Sequence, residues 1–290
     1  MKKKILITGI NGFLGSHLAK KLCEEYDIIG LVNNVKNVDR VKSYNFKIIE
    51  STEKNIIKLF IENSIFSIIH TATVYRVDKS VEKLIKTNIL LPLKLYELAN
   101  RNGVSVFFNT DTFFNSKDIK HNYLSQYTLS KKNALEWLKT IQGECKLINM
   151  KLFHMYGSND SPLKFTTNIF KNLINNLPKI DLTSGEQKRD FIYIDDVVKA
   201  YICVLNNFSF GNNKYFEFEV GTGKSISIKN FVETIKTTLG STSILNFGGL
   251  ENRENEIMDA VANNTELKKL GWNPEFNIEK GIQSILHKGV

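Results

Sequence analysis

The segment LITGINGFLG constrains this chain more than any other. It follows a short apolar run, Lys4-Ile5-Leu6-Ile7, and runs into an apolar repeat at Leu14, Leu18 and Leu22, which has helical spacing. A strand, a glycine turn and a helix in that order predict a phosphate cradle. Gly9 permits the tight turn, Gly12 lets backbone approach a diphosphate, and Gly15 lets the helix pack close to the sheet. The chain is then committed to a strand whose neighbours run parallel to it, because the helix must cross back over the sheet.

The rest of the first half keeps to that commitment. Strands are expected at Asp27–Val32, Phe46–Glu50, Ser67–His70, Val104–Phe108 and Leu147–Phe153, with helices between them. The helix expected over Ser80–Asn102 carries Pro92, which should kink it. The fold class read from this alternation is α/β, a doubly wound parallel sheet of Rossmann type over residues 1–155. Beyond 156 the pattern becomes irregular. We expect a smaller, interleaved α/β lobe over 156–290, with residues of about 189–222 packing back on the first domain and Asp195 capping a helix.

Composition excludes more than it selects. Hydrophobic residues make up 42% and charged residues 24% of 290, ordinary for a water-soluble globule. Cys23, Cys145 and Cys203 lie too far apart for a metal spacing or a disulfide framework, which predicts free thiols, no metal and a reducing, cytoplasmic setting. The lysines at 2–4 imitate a leader, but the apolar run after them is too short, and no run is long enough to span a membrane. A net charge of +9 permits anionic partners. The lysines are scattered rather than clustered, so no nucleic-acid partner is expected.

Chemistry concentrates in NTDTFFNSKDIKHNYLSQYTLSKK. Tyr127 and Lys131 are spaced to share one helix face, and Thr110 lies at the expected end of strand five, where such sheets bind ligands. A phenol is a weak acid with a pKa near 10, and a neighbouring ammonium should lower that value. Thr110 could then orient a substrate carbonyl while Tyr127 protonates it. At the end of strand two, where an acid would bind the ribose of NAD, stands Asn33, followed by Lys36 and Arg40. That favours NADPH, with NADH as the alternative, since Asn33 can bond either ribose. The cofactor candidates are therefore Gly9, Asn11, Gly12, Phe13, Leu14, Gly15, Asn33, Lys36, Arg40, Thr71, Ala72 and Asn88, together with Tyr127 and Lys131.

The spacing of the glycines, the TGxxGFLG form of the loop and the downstream Tyr-x-x-x-Lys resemble the extended short-chain dehydrogenase/reductase family, in particular its nucleotide-sugar-modifying branch. The resemblance runs over nearly the whole chain, through TSGEQKRDFIYIDDVVKAY, VGTGKSIS and ENEIMDAVANNTELKKLGWNP. It implies that Arg189 meets the nucleotide's ribose or diphosphate, that Arg253 and Glu256 serve the diphosphate and ribose, and that His154 contacts substrate. It also implies a sugar pocket lined by Tyr75, Arg76, Asp111, Phe113 and Phe114. Arg189 could instead pair with Asp190 or Asp195, and the aromatics could be core packing. In the branch's dehydratases the Thr is followed by Asp-Glu. Here the run is Thr110-Asp111-Thr112, and the missing Glu argues against elimination.

What remains is simple carbonyl reduction or C4 epimerisation, and the resemblance implies reduction of the C4 ketone of a nucleotide-linked 4-keto-6-deoxysugar. The resemblance favours a CDP-linked 4-keto-3,6-dideoxyhexose, an O-antigen precursor, and a homodimer built on the Ser80–Asn102 and Tyr127–Ile141 helices. A C4 epimerase with retained NAD and a non-catalytic Rossmann protein binding RNA or a regulator are the competing readings.

Overall fold

A computed structural model describes residues 2–75, 80–116, 124–208 and 213–288. The first half runs β1 (Lys4–Thr8), α1 (Phe13–Leu22), β2 (Asp27–Val32), β3 (Lys47–Glu50), α2 (Glu53–Glu62), β4 (Ile65–His70), α3 (Val81–Ile85), α4 (Leu91–Arg101), β5 (Val106–Thr112), α5 (Ser125–Thr140) and β6 (Lys146–Leu152). The second half runs β7 (His154–Tyr156), α6 (Phe165–Ile174), β8 (Lys179–Leu182), β9 (Lys188–Arg189), β10 (Phe191–Tyr193), α7 (Ile194–Asn207), β11 (Tyr215–Val220), β12 (Ile226–Ser227), α8 (Ile228–Leu239), β13 (Ile244–Phe247), α9 (Thr265–Lys269) and α10 (Ile278–Lys288).

Seven strands form one sheet in the order β11-β6-β5-β4-β1-β2-β3. β1 pairs in parallel with both β2 and β4, and β2 with β3 and β4 with β5 are parallel too. The order reverses at β1, the switch point beside which open α/β sheets bind ligands. β1 is buried on both faces, as a strand flanked by helix layers must be. On one face Leu6, Ile68, Phe107 and Leu147 pack with Ile56, Leu59, Leu95 and Leu138 of the covering helices.

The chain divides into two compact units. The first comprises Met1–Asn115, Tyr123–Lys151 and Val204–Phe218; the second comprises Ser116–Asn122, Leu152–Cys203 and Glu219–Val290. The second unit holds small two-stranded pairings, β10 with β7, β12 with β9 and β13 with β8. Its core centres on Phe191 stacked on Phe231 at 3.8 Å, with Tyr156 edge-on to both.

Local structure departs from the sequence reading in three places. The helix expected over 80–102 is broken by a π-helical turn, Lys86–Leu90, between α3 and α4. Pro92 lacks the N–H that would bond the Asn88 carbonyl, and its ring would collide with that carbonyl. The backbone responds one residue early, with the Leu91 N–H reaching Lys86 O, and Pro92 then sits in the first turn of α4, where its missing donor costs little. β5 continues through Thr112, so Thr110 lies within the strand rather than past its end. α7 starts at Ile194 directly from β10, so Asp195 and Asp196 lie in its first turn and neither is the cap. Asp196 instead accepts the backbone N–H groups of Glu275 and Phe276 at 3.0 and 2.9 Å.

Candidate active site

In the first unit the glycine loop closes over the end of β1. Gly9 has φ +63°, and a Cβ there would stand 2.8 Å from Ala72 Cα. A Cβ on Gly15 would stand 2.3 Å from Gly9 O, so only glycine allows α1 this close to the turn. Thr71 and Ala72, just past β4, are tied to the same place: Thr71 Oγ1 donates to Thr8 O at 2.7 Å, and the Ala72 N–H to Thr8 Oγ1 at 3.1 Å. Gly12 caps α1 without a side-chain bond, and no acid stands in the first turn. A bare helix start with exposed glycine backbone fits a dinucleotide's diphosphate.

The residues expected to select the cofactor gather beside this loop. Arg40 donates its backbone N–H to Asn11 Oδ1 at 2.9 Å and its guanidinium to Asn11 O at 3.0 Å, while Asn11 Nδ2 reaches Asn37. Asn33 follows β2 and accepts from Ser51 Oγ at 3.0 Å, and Lys36 is exposed on the same segment. The end of β2 and the segment after it therefore present Asn33, Lys36 and Arg40, with Asp39 in the same segment and Glu50 paired with Val32 on β3.

α5 brings Tyr127 and Lys131 to the sheet, 9% and 3% exposed. The hydroxyls of Thr112 on β5 and Thr73 after β4 stand near the Tyr127 hydroxyl and favour its ionised form. The ring of Tyr75 meets Tyr127 edge-on at 5.0 Å. Thr110 lies on the same strand face as Thr112 and is only partly buried. Burial pushes the Tyr127 phenol well above its ordinary pKa, and the Asp111 carboxylate pushes it further, against the two threonine hydroxyls. Lys131 does not offset that rise, so the expected depression of the phenol is absent and it stays protonated. Lys131 itself is lowered by burial, with Asp111 pulling back the other way.

Asn88 departs from its expected role as a cofactor contact. It is 0% exposed, and both ends of its amide are used inside the protein. Nδ2 donates to Val74 O at 2.9 Å and Ser130 Oγ at 3.0 Å; Oδ1 accepts from Val74 N at 2.7 Å and Thr73 Oγ1 at 3.3 Å. The π turn thereby stitches the segment after β4 to the helix carrying Tyr127 and Lys131. Asp111 also departs from its expected place against substrate. It is 2% exposed, with Oδ1 held by Asn115 Nδ2 at 2.8 Å and Oδ2 by Asn149 Nδ2 at 3.1 Å. Phe113 and Phe114 are buried against each other, ring centroids 4.1 Å apart, and pack the turn after β5. Arg76 lies outside the described residues.

In the second unit the residues expected to meet a diphosphate form their own cluster. Arg189, 6% exposed, pairs with the Glu256 carboxylate and donates to the carbonyls of Lys188 and Ile257. The alternative partner Asp190 is taken by Thr222 and by the N–H groups of Gly223 and Ala262. Arg253 is close enough to Arg189 for its charge to be felt there. The His154 ring lies edge-on to Phe191 at 5.8 Å. Burial and the charges of Arg189 and Lys164 push its pKa down to about 3, so it is neutral.

Sequence reasoning missed Thr73, Thr112 and a polar chain behind Asp111 formed by Asn109, Asn149, Lys151, Tyr215 and Glu217. One signal was visible: β6 reads KLINMKL, and Asn149 and Lys151 interrupt an otherwise apolar strand. Among the described residues no group of three or more His, Cys, Asp and Glu is placed to hold a metal ion, and no helix is long and apolar enough to cross a membrane.

Comparison with known proteins finds relatives that span nearly the whole chain. The model of the NAD dependent epimerase/dehydratase family matches residues 5–221. CDP-abequose synthase of Salmonella muenchen is 38% identical, covering 99% of this chain and 98% of its own, and that of Salmonella typhimurium (strain LT2) is 34% identical, covering 99% of each. The fold is similar to that of a Bacillus cereus UDP-glucuronic acid 4-epimerase mutant, solved with a fluorinated substrate analogue and NAD, at a TM-score of 0.82, 20% identity and coverage of 99% and 100%.

Proposed function

The chain belongs to the NAD dependent epimerase/dehydratase family, and we propose that within it the chain reduces the C4 ketone of a nucleotide-linked 4-keto-6-deoxysugar with NADPH. A CDP-linked 3,6-dideoxyhexose is the first substrate to test, since two full-length relatives bear the name CDP-abequose synthase. The carrying observation is the single acid: Tyr127 is a buried, protonated phenol among threonine hydroxyls, while Asp111, the neighbouring acid in sequence, has both oxygens bound inside the protein. One proton donor, with the neighbouring acid already engaged inside the protein, suits reduction rather than elimination.

The dinucleotide's diphosphate would rest on the Gly9–Gly15 loop and the start of α1, with Asn33, Lys36 and Arg40 at the adenosine ribose. When bound, it supplies the hydride. The protein's own part is positional and protic. Thr110 holds the ketone oxygen in line with Tyr127, and the phenol hands its proton to that oxygen as negative charge develops there. Lys131 holds the nicotinamide ribose and offsets the phenolate that is left. In the second unit Arg189 and Arg253 are the residues we assign to the nucleotide's diphosphate, by charge-assisted guanidinium bonds, and Glu256 to its ribose.

A substrate panel tests this. CDP-, dTDP- and GDP-4-keto-6-deoxysugars are offered with NADPH and NADH, nicotinamide oxidation is followed, and the new C4 centre is assigned by NMR. Stoichiometric oxidation of NADPH by a CDP-linked ketone is the expected result. Interconversion of C4 epimers without net nicotinamide consumption would make the chain an epimerase, and oxidation undiminished in Tyr127→Phe would remove the proton donor assigned here.

A further inference from the structure

We propose that Ser51 is a positioning residue for the choice of dinucleotide. It turns the Asn33 amide so that the NH₂ end, and not the carbonyl, meets the 2′ position of the adenosine ribose. The inference rests on the dinucleotide reading of the glycine loop and deepens the NADPH assignment; it does not depend on which sugar is reduced.

An asparagine after β2 is ambiguous by itself. A ribose 2′-hydroxyl has a proton to donate and seeks an acceptor, a 2′-phosphate seeks donors, and a primary amide offers one end to each. One hydrogen bond separates the two ends. The Ser51 hydroxyl donates to Asn33 Oδ1 at 3.0 Å, and Asn33 is exposed, so its NH₂ group is the end turned outward. Ser51 itself has little freedom. Its N–H bonds Val32 O at 2.8 Å, which carries the β2–β3 ladder one rung beyond Glu50. Thr52 behind it caps α2, accepting from the Asn55 N–H at 3.3 Å, and Asn55 Nδ2 returns to Glu50 O at 3.2 Å. The serine is clamped between a strand end and a helix start.

The cations of the same end are anchored by similar means. Asn11 Oδ1 accepts the Arg40 N–H at 2.9 Å, and Asn11 O takes a guanidinium N–H of Arg40 at 3.0 Å, which holds the planar cation beside the glycine loop. The Lys36 N–H is bonded to Asn34 Oδ1 at 2.9 Å, so Asn34 turns back on its own backbone. Of the acids in the neighbourhood, Asp39 pairs with Lys42 at 3.8 Å. Glu50 precedes Ser51 in an extended chain, whose side chains alternate, so the two face opposite sides. An amide NH₂, a guanidinium and an ammonium together match the acceptor oxygens and about two negative charges of a phosphate, and a lone hydroxyl satisfies them poorly.

The test is calorimetric and needs no turnover. Full-length protein is titrated with adenosine 2′,5′-bisphosphate and with 5′-AMP. Wild type should bind the bisphosphate about tenfold or more tightly than 5′-AMP. Ser51→Ala should cut that preference by about threefold or more while 5′-AMP binds within about twofold of wild type, and Ser51→Thr, which keeps the hydroxyl, should retain it. In an Asn33→Ala background Ser51→Ala should change nothing further, as expected of a residue that acts through Asn33. A preference unmoved by Ser51→Ala overturns the proposal and leaves the NADPH reading standing. A wild type that binds both ligands equally overturns the two together, and the ketone reduction is still decided by the substrate panel.

Discussion

Tyr127 holds its proton against a lysine placed four residues further along the same helix, and the reason is burial. Shedding the proton of a phenol 9% exposed would put a charge into a dry site beside the Asp111 carboxylate, and both disfavour the phenolate. Replacing the hydroxyl in Tyr127→Phe should lower kcat by about 10²–10⁴-fold and leave KM and NADPH fluorescence titrations nearly unchanged. Histidines give a second expectation at this scale. His70 and His154 are both held neutral, their pKa values pushed below the ordinary 6.5. Between that value and the depressed one the unfolded chain binds more protons than the folded one, so stability is complete above about pH 6.5 and declines as the pH falls. Urea midpoints should drop from pH 7 to pH 5, and the drop should be shallower in His154→Gln. Equal slopes in the two proteins would show that His154 does not carry the effect.

At the level of elements, the π turn at Lys86–Leu90 joins the fold to the site. It exists because Pro92 cannot bond the Asn88 carbonyl, and it leaves Asn88 free to pin Val74, Thr73 and Ser130. Pro92→Ala would allow a continuous α-helix and withdraw Asn88. The expected outcome is an equal or higher Tm with kcat reduced by about tenfold or more, measured by calorimetry and steady-state kinetics. The same contrast marks what could be read from sequence. The six strands and the glycine cradle were legible because they depend on local periodicity and on glycine's lack of a Cβ. The proline was legible as a disturbance, but its form was not, because choosing between a kink and a π turn depends on what Asn88 can reach across the fold. Asp111 was misplaced for a related reason. One of its oxygens is held by Asn149, a partner distant in the chain that no local pattern couples to it. Thr112 was noticed only as an absent glutamate, although its hydroxyl stands near that of Tyr127.

At the scale of the whole molecule, an apolar set stays exposed on the helical face of the first unit: Leu90 at 53%, Leu129 at 58% and Trp137 at 61%. Such a set on neighbouring helices suits a two-fold contact with a second copy. The double substitution Leu90→Glu with Trp137→Glu should convert a sedimenting dimer to a monomer, whereas wild-type protein already monomeric at micromolar concentration would refute the contact. The division of the chain has a separate consequence. Lys151 and Asn149 find their acid on Glu217, and the first unit is completed only by Val204–Phe218, which follow a long stretch of the second. During synthesis, therefore, the nascent sheet must wait with two polar side chains uncovered until the ribosome has passed the edge strand. A polypeptide halted near residue 155 should stay bound to chaperones instead of ripening into a free-standing nucleotide binder.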